Sequence, residues 1–422
     1  MTGEQKYVRE NRKELIDSIN HRFLPFNGEE IDRLLKIYDS IKEEKFEIDS
    51  LRHRRNEIEK LKGNDETKNQ EAKKLRDQIT KKEEGLVEME TDAENIFLKL
   101  PNVIDPSVPI ARDDSGNLEI SRWGEARERD FKVIRGEELA ISKGMLDLES
   151  AAKMAGSRFL FLKGKLVQLA IALELYSINK MVEKGYTAVI PPLLMKEQTY
   201  RGIAHMATFE DALYQVTGKE DEGEERRLLI STTEHPLIAM YQGSVLEEKD
   251  LPIKLIGEST AFRKEAGAHG KDTKGMFRLH QFDQTEMIAI CRPNESAKMQ
   301  DEFLRNEEEM LRELELPYRL VMLSSGDMGV RDFKQLDLEV FMPYQSKYRE
   351  VMSNDNCTDW ISRRSGIRFA DAEGNKIFAH TVDATGLAIQ RTIKSILEVH
   401  QKKDGTVRVP DPLVKFTGFS TL

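Results

Sequence analysis

The sequence has little cysteine and no long apolar run. Its two cysteines, Cys291 and Cys357, are too few for a disulfide scaffold and fit a reducing compartment. Neither cysteine has the CxxC or Cys/His spacing of a zinc site. No apolar run reaches the roughly eighteen residues that a bilayer requires, and the segment MTGEQKYVREN lacks the apolar core of a signal peptide. We therefore expect a cytoplasmic protein with no zinc and no membrane partner.

Both common nucleotide fingerprints are also missing, namely GxxxxGKS/T and a GxGxxG that follows a strand. An ATP site in this chain would have to use arginines and an antiparallel sheet. The 75 acidic residues outnumber the 65 basic ones, which gives a net charge of -10. Any binding of nucleic acid would therefore need a local basic patch.

The length of 422 residues, with 39% hydrophobic content, favours two domains. Residues 101–125 hold three prolines and two glycines, which is typical of a connecting segment. We predict an N-terminal domain over residues 1–108, a linker over 109–125 and a second domain over 126–422.

A heptad pattern dominates the N-terminal part. Apolar residues recur at 3,4 spacing in two stretches that Gly63 to Asn69 separate, which predicts an antiparallel coiled-coil hairpin. The stretch from Arg52 to Lys82, around the tip of the hairpin, contains eleven basic residues and six acidic ones. These charges are either the solvated flanks of a coiled coil or a basic probe for a phosphate backbone. The seam residues are Leu34, Ile37, Ile41, Ile48, Leu51 and Ile58 in the first helix, and Leu75, Ile79, Leu86, Met89, Ala93, Ile96 and Leu100 in the second.

Residues 255–287 read as two extended arms joined by a charged loop that contains glycines. Side chains alternate faces along a strand, so Arg263 and Glu265 share one face of the first arm. The same rule gives one face of the second arm a run of polar and aromatic side chains, namely Arg278, His280, Phe282, Gln284 and Glu286. Such a face suits a phosphorylated ligand with a ring, although a solvated surface hairpin has a similar pattern.

Three further stretches carry side chains with possible chemistry. In LLISTTEHP an apolar strand ends in Thr232, Thr233 and Glu234, and Glu234 either holds an ammonium group or lies at the start of a helix. In YREVMSNDNCTDW, Glu350 and Ser353 offer oxygens to a hard cation such as Mg2+. In FAHTVDATGLAIQRTIKSILE a strand meets an amphipathic helix, and Arg391 at the junction can reach a polyphosphate.

Together these residues carry a family resemblance. FRKEAGAHGKDTKGMFRLHQFDQTE resembles motif 2 of the class II aminoacyl-tRNA synthetases, in the form FRxEAGxxGxDTxGxxRxHQFxxxE seen in seryl-tRNA synthetases. KGYTAVIPPLL resembles motif 1 at the dimer interface, and TGLAIQRTIKSILE resembles motif 3. The likeness extends to GSRFLFLKG, the TTE triplet, YREVMSNDNCTDW and the N-terminal arm, and so spans nearly the entire chain.

The resemblance implies an α+β fold with a class II antiparallel sheet flanked by helices and preceded by the coiled-coil arm. It also implies a homodimer that uses ATP and Mg2+ to convert L-serine to seryl-adenylate. The seryl group would then pass to the 3′ end of tRNA(Ser), and of tRNA(Sec) where that tRNA exists.

Motif positions also imply roles in ATP binding. Arg263 would contact the α-phosphate and the serine carboxylate, while Arg278 and Arg391 would reach the γ-phosphate. Glu350 and Ser353 match the positions linked to Mg2+, and Arg263, Arg391 and Glu350 would be the catalytic residues. Phe282 would stack on adenine. The full ATP-binding set is Arg263, Lys264, Glu265, Arg278, Phe282, Glu350, Val351, Met352, Ser353 and Arg391.

Serine and tRNA sites follow from the same likeness. Thr232 and Glu234 would receive the amino acid, and Glu286 and Thr385 would read its hydroxyl group. The full serine set is Thr232, Thr233, Glu234, Arg263, Glu286, Asp383 and Thr385. The tRNA set on the arm is Arg52, Arg54, Arg55, Lys60, Lys62, Lys68, Lys73, Lys74 and Arg76.

Several residues depart from the family pattern. Asp383 and Ala384 stand where many members have asparagine before glycine or serine, which adds a negative charge near the hydroxyl pocket. Asp355 and Ile361 stand where serine and glutamine are common, and RGIAHMATFED lacks the second glycine and the proline of the GTGxLP segment.

Two other functions remain open on the sequence alone. A ligase that loads an amino acid onto a carrier protein would keep the catalytic face and lose the tRNA arm, which is complete here. A catalytically silent paralogue would be expected to lose Arg263, Glu350 or Arg391, and all three are present.

Overall fold

The computed structural model describes residues 3–60, 66–126, 129–206, 210–218, 226–264 and 275–422. The chain divides into two compact units, residues 1–103 and 104–422. Residues 109–125, which we expected to be a linker, therefore belong to the second unit. Part of this segment is an edge strand, Leu118–Trp123, that pairs with Tyr318–Met322. The three prolines of residues 101–125 all precede that strand and do not interrupt it.

Four helices make up the described part of the first unit. The two long helices pack along each other, and the residues they bury include Leu34, Ile41 and Ile48 on one and Leu75 and Ile79 on the other. The predicted coiled coil is confirmed. The helices are α1 (Gly3–Glu10), α2 (Arg12–His21), α3 (Gly28–Lys60) and α4 (Glu66–Lys99).

Three polar residues, Glu44, Arg55 and Lys82, stand at seam positions, and two of them pair with each other. Glu44 on α3 accepts a hydrogen bond from the Lys82 ammonium group on α4 at 3.0 Å. Lys82 also pairs with Glu47 at 2.7 Å. A paired polar contact in an apolar seam favours one helix register over slipped alternatives.

The second unit is built around an eight-stranded sheet in the order β1-β11-β12-β13-β16-β10-β9-β4. All neighbours in this sheet are antiparallel except β4 and β9, which are parallel, so the predicted antiparallel sheet is confirmed. The strands, including those of three small sheets, are β1 (Leu118–Trp123), β2 (Leu146–Asp147), β3 (Phe161–Leu162), β4 (Thr187–Val189), β5 (Leu194–Lys196), β6 (Gln215–Val216), β7 (Arg227–Leu229), β8 (Val245–Glu247), β9 (Ile253–Phe262), β10 (Gln281–Cys291), β11 (Tyr318–Met322), β12 (Lys334–Met342), β13 (Lys347–Thr358), β14 (Arg368–Ala370), β15 (Lys376–Phe378) and β16 (His380–Ala388).

Helices flank the sheet, and each face of it belongs to a separate core. Along β10, Met287 and Ala289 belong to the larger core, whereas Ile288 and Ile290 belong to the smaller one. This alternation is the two-residue period of a strand buried on both sides. The helices are α5 (Gly136–Ser142), α6 (Leu148–Ala155), α7 (Lys165–Glu183), α8 (Glu197–Arg201), α9 (Glu234–Ala239), α10 (Ser296–Glu313), α11 (Trp360–Ser365), α12 (Ile389–Val399) and α13 (Asp411–Thr417).

Two β-bulges change which way side chains point in the sheet. Opposite the step from Leu338 to Glu339, β13 runs from Met352 to Glu350, so Val351 is an extra residue. Opposite the step from Thr285 to Glu286, β16 runs from Leu387 to Thr385, so Gly386 is the extra residue there. A bulge shifts the in-and-out alternation by one position.

The second bulge requires glycine. A Cβ atom at Gly386 would lie 2.4 Å from the Thr285 hydroxyl oxygen and 3.0 Å from the Ser177 hydroxyl oxygen. That threonine oxygen is fixed, because it bonds the Ser177 hydroxyl at 2.8 Å and accepts a hydrogen bond from the Leu387 amide at 2.8 Å.

We predict that Gly386→Ala destabilises the chain by about 1–3 kcal/mol, because the added methyl group overpacks the bulge. Thermal or denaturant unfolding measures the change. The matched control is Gly85→Ala on α4, where no atom lies within 4 Å of the added Cβ and alanine favours the helix. An unfolding midpoint for Gly386→Ala at or above that of the wild type would contradict the prediction.

Candidate active site

A cavity of about 450 Å³ opens in the second unit over strands β10, β13 and β16. The loop 327–335 and the first residues of α9 and α12 complete its wall. Many of the predicted site residues meet here although they come from distant parts of the chain. Those that line the cavity are Thr232, Glu234, Arg263, Phe282, Glu286, Glu350, Val351, Ser353, Asp383, Thr385 and Arg391.

Other predicted residues lie elsewhere. The Thr233 hydroxyl is fully buried and bonds the Ser259 hydroxyl at 2.7 Å, and Met352 is buried in the larger core. Lys264 is exposed, with its ammonium group 5.7 Å from the centre of the Tyr214 ring. Arg278 is exposed and does not line the cavity. Glu265 and Lys62 lie outside the described residues.

His280 was predicted to share the ligand-facing side of the hairpin. Its ring instead stacks on Phe159 with centroids 5.2 Å apart, and its Nδ1 lies 3.0 Å from the Tyr214 hydroxyl. The interpretation was wrong because β10 begins only at Gln281, so strict alternation does not hold for residues 275–280. Leu279, which alternation placed on the opposite face, lines the cavity for the same reason.

Arg263 lies just after β9 and is fixed from two sides. Its Nε donates a hydrogen bond to the Ser231 carbonyl oxygen at 2.9 Å. Its guanidinium carbon lies 5.2 Å from the centre of the Phe282 ring. An arginine and an aromatic ring thus adjoin each other at one end of the cavity, an arrangement that suits a phosphate group next to a base.

Arg391, in the first turn of α12, pairs with Glu350 on β13. The distance between Nη1 and Oε1 is 2.7 Å, and Arg391 Nε also donates to the Phe277 carbonyl oxygen at 3.3 Å. Partial enclosure of Glu350 tends to raise its pKa, but the charges of Arg391 and Arg263 outweigh this, so the net shift is downward. Glu350 is therefore held as a carboxylate.

The first bulge explains how Glu350 and Ser353 come to share the cavity. Residues three apart on a regular strand point to opposite faces. The extra residue Val351 removes one step of that alternation. Glu350, Val351 and Ser353 therefore all line the cavity.

At the inner end, polar groups form a chain of hydrogen bonds. The Gln284 amide nitrogen donates to the Thr232 hydroxyl at 2.8 Å and to Glu286 Oε1 at 2.9 Å. Glu286 is buried, and this burial raises its pKa well above the ordinary value, with further upward contributions from the charges of Asp383 and Glu234. The shift favours a protonated side chain that can donate a hydrogen bond as well as accept one.

Sequence reasoning missed Arg331, which lies at the same inner end. Its guanidinium contacts Glu234, Asp383 at 2.8 Å and Asp355 at 3.2 Å, while its Nε lies 3.2 Å from Asp332. Apart from the RD dipeptide at 331–332 there is no local signal, because the other three carboxylates come from α9, β13 and β16. Asp355 and Asp383, two of the departures from the family pattern, face each other across the β13–β16 pair and share this arginine.

The antiparallel sheet, the arginines at one end of the cavity and the carboxylates at the other define a class II aminoacyl-tRNA synthetase core. Residues 214–400 match the family model "tRNA synthetase class II core domain (G, H, P, S and T)". Residues 4–104 match the "Seryl-tRNA synthetase N-terminal domain".

Similar proteins extend the match to the whole chain. A serine–tRNA ligase of Methanocella arvoryzae is 40% identical over 392 residues, which cover 91% of each chain. The structure of seryl-tRNA synthetase from Pyrococcus horikoshii complexed with ATP superposes with a TM-score of 0.89 at 36% identity, covering 99% of this chain and 98% of that one. A cytoplasmic serine–tRNA ligase from Naegleria fowleri in complex with AMP gives a TM-score of 0.84 at 29% identity, covering 97% and 95%. The chain belongs to the seryl-tRNA synthetase family.

Two kinds of feature are absent from the described residues. None of the helices there combines the length and the apolar character needed to cross a membrane. The same residues contain no group of three or more His, Cys, Asp or Glu side chains placed to hold a metal ion.

The raised pKa of Glu286 predicts in which direction the stability of the folded chain changes with pH. The folded chain binds this proton more tightly than the unfolded chain, so ionisation of Glu286 costs stability as the pH rises above about 4.5. The glutamine side chain of the Glu286→Gln variant cannot ionise. We predict that the stability of the wild type relative to Glu286→Gln falls between about pH 5 and about pH 8. Thermal unfolding of both proteins in matched buffers measures it.

The control for this measurement is Glu295→Gln. The hydrogen bond from Arg292 lowers the pKa of Glu295, so the contribution of that carboxylate is lost only below its ordinary value near 4.5. The difference between wild type and Glu295→Gln should stay constant over the same pH range. A flat or rising curve for Glu286→Gln would count against the environment described for that side chain.

Proposed function

We propose that the chain activates L-serine with ATP to give seryl-adenylate and transfers the seryl group to the 3′ end of tRNA(Ser), and of tRNA(Sec) where that tRNA exists. One observation carries the proposal, which is that a single cavity joins arginines at one end to carboxylates and threonines at the other. This division matches a ligand with phosphates at one end and an ammonium group at the other. Relatives named as serine–tRNA ligases support it.

The arginine end suits ATP. Phe282 offers a ring face for adenine beside Arg263, and Arg391 points a second guanidinium into the same space. Arginine binds phosphate through parallel N–H donors, which suits a triphosphate chain. Arg278 does not line the cavity, but its charge helps to lower the pKa of Glu350, and we propose that it meets the terminal phosphate.

We propose that Glu350 and Ser353 hold Mg2+ together with ATP. Both are oxygen donors on one face of β13, and the lowered pKa of Glu350 keeps its carboxylate charged. Mg2+ characteristically takes one or two carboxylates and completes its shell with phosphate and water. When bound, it would neutralise part of the triphosphate charge.

The carboxylate end suits serine. Glu234 lies at the start of α9 with an acidic side chain that can receive an ammonium group, and Glu286 and Thr385 offer partners to a hydroxyl group. Glu286 and Thr385 already accept hydrogen bonds from Gln284 and from the Ser353 amide, but alanine would offer no partner for their remaining hydrogen-bonding capacity. An unmet hydrogen bond in a buried site costs free energy, so serine is favoured over alanine.

The reaction depends on how the site positions its substrates and stabilises charge, and it needs no nucleophilic side chain. The serine carboxylate oxygen attacks the α-phosphorus, and the bond to pyrophosphate breaks in line. Arg263 stabilises the charge on the α-phosphoryl oxygens, and Arg391 stabilises the charge of the departing pyrophosphate. In the second step a ribose hydroxyl at the tRNA 3′ end attacks the seryl carbonyl, and AMP leaves.

We propose that the coiled-coil arm binds tRNA, with its lysines as the principal contacts. The arginines of the proposed set already pair with acids of the arm: Arg52 with Glu83 at 2.7 Å and Arg54 with Glu71 at 2.7 Å. Arg55 and Arg76 both pair with Glu59, at 3.9 and 2.8 Å. Among the described residues, no acid lies within ion-pair distance of the remaining lysines, namely Lys60, Lys68, Lys73 and Lys74.

A homodimer is part of the proposal. The outer face of α7 exposes Val167, Ile171 and Leu175, which recur every four residues and are 39%, 50% and 42% exposed. Ile190, just after the edge strand β4, is 81% exposed. An apolar stripe beside a sheet edge is typical of a self-association surface. The buried free thiols Cys291 and Cys357 agree with a cytoplasmic location.

We predict that Arg263→Ala lowers serine-dependent ATP–pyrophosphate exchange by at least about 100-fold, because a phosphoryl oxygen loses its charged donor. The unfolding temperature should change little, since Arg263 lies at the cavity. The control Arg319→Ala removes an arginine that pairs with Glu339 and Glu119 outside the cavity, and its exchange should equal that of the wild type. Exchange by Arg263→Ala at the wild-type rate would rule out this catalytic assignment.

The arm gives a separate prediction. Lys73→Glu combined with Lys74→Glu should reduce kcat/KM for tRNA aminoacylation at least about tenfold, because two backbone contacts become repulsive. ATP–pyrophosphate exchange should remain unchanged. Lys13→Glu with Lys36→Glu, at exposed positions on α2 and α3, changes the net charge equally and should leave both activities intact. Full aminoacylation by the Lys73/Lys74 variant would show that these lysines do not bind tRNA.

A further inference from the structure

Arg331 is the most heavily ion-paired side chain at the cavity. Its guanidinium contacts carboxylates from α9, β13 and β16 and from the neighbouring residue Asp332. The arginine side chain is 15% exposed, and the four partner side chains are between 2% and 7% exposed. The cluster is therefore almost fully withdrawn from water, yet it borders the inner end of the cavity.

Stability alone does not explain such a cluster. Burying several charges costs desolvation energy that mutual attraction only partly offsets, and apolar side chains of similar size often do as well. The pKa values of Asp355 and Asp383 are raised by burial, and the Arg331 charge opposes that rise. The net shift of both pKa values is still upward, so charge attraction alone does not account for the cluster, and its geometry matters more.

Glu234 connects this cluster to the amino acid. It is the residue proposed to receive the ammonium group, and in the structure its Oε1 is bound by Arg331 Nη1. The other nitrogen of the guanidinium, Nη2, is 2.8 Å from Asp383. Arg331 therefore fixes the distance between the wall that meets the ammonium group and the wall formed by β16 next to Thr385.

We propose that Arg331 is a positioning residue of the amino-acid subsite, where its guanidinium holds Glu234 and Asp383 in one fixed arrangement for the ammonium group and the hydroxyl group of a small amino acid. The assignment rests on the proposed function, since it concerns the same cavity. Arg331 acts through its carboxylate partners, and the arginine end of the cavity has no part in it. Its loss should therefore affect amino-acid binding and leave ATP binding as it was.

The test is Arg331→Met and Arg331→Lys in the full chain, with KM for serine and KM for ATP measured separately by pyrophosphate exchange. Arg331→Met should raise KM for serine at least about tenfold, as expected when one partner of a buried ion pair is removed, with KM for ATP within about twofold of the wild type. Arg331→Lys keeps the charge but not the fork of donors, so its KM for serine should lie between the values of the wild type and of Arg331→Met. Arg319→Met is the matched control and should change neither constant.

A double variant separates positioning from charge balance. The double variant Arg331→Met with Asp383→Asn removes one charge of each sign. Its thermal stability should therefore be higher than that of Arg331→Met alone, while its KM for serine should stay raised. Recovery of KM for serine by this double variant would overturn the proposal, and so would an unchanged KM for serine in Arg331→Met. Parallel increases in both KM values would also overturn it.

Failure of the proposed function gives a different result. If the wild type exchanges with another small amino acid and not with serine, the proposed substrate is wrong, and the same KM comparison with that amino acid still decides the role of Arg331. If the wild type supports exchange with no amino acid, the proposed function and the assignment of Arg331 are both overturned.

Discussion

The site depends on one constraint of the sheet, which is that both faces of its central strands are buried. Along β10 the side chains from Met287 to Ile290 alternate between two cores, and only the part of the strand from Phe282 to Glu286 presents side chains to the cavity. The bulges at Val351 and Gly386 relax this constraint locally. They let Glu350 and Ser353 face the cavity together and let Thr385 lie opposite Glu286. The two bulges thus bring three polar residues of the cavity, Glu350, Ser353 and Thr385, into place.

The cavity is electrostatically divided, and its two ends shift the pKa of a carboxyl group in opposite directions. At the arginine end, the charges of Arg391 and Arg263 lower the pKa of Glu350 in spite of its enclosure. At the inner end, burial raises the pKa of Glu286, and neighbouring carboxylates raise it further. One carboxyl group is thus kept charged for a cation, and the other is biased toward a form that can donate a hydrogen bond. This division suits a reaction that joins a zwitterionic amino acid to a polyphosphate.

How far the sequence could predict the molecule depended on the range of the interactions. The coiled coil follows from local heptads, and two of its polar seam residues, Glu44 and Lys82, meet in the structure. The resemblance to the family's motifs, carried over position by position, pointed to most of the residues that line the cavity. Alternation failed for His280, because a strand boundary cannot be read from the pattern of one hairpin. Arg331 had no local signal, because the acids that surround it are far apart in the chain and only the sheet register brings Asp355 opposite Asp383.

On the proposed function, the inner end of the cavity selects serine by its hydroxyl group. ATP–pyrophosphate exchange by the wild-type chain with serine, alanine, threonine and glycine, compared as kcat/KM, measures this selection. Because a substrate without a hydroxyl group leaves part of the hydrogen-bonding capacity of Glu286 and Thr385 unmet, serine should exceed alanine and glycine by at least about 1,000-fold. Threonine should also be poor, since its extra methyl group has to fit against the fixed Arg331 cluster. Equal kcat/KM for serine and alanine would contradict the account.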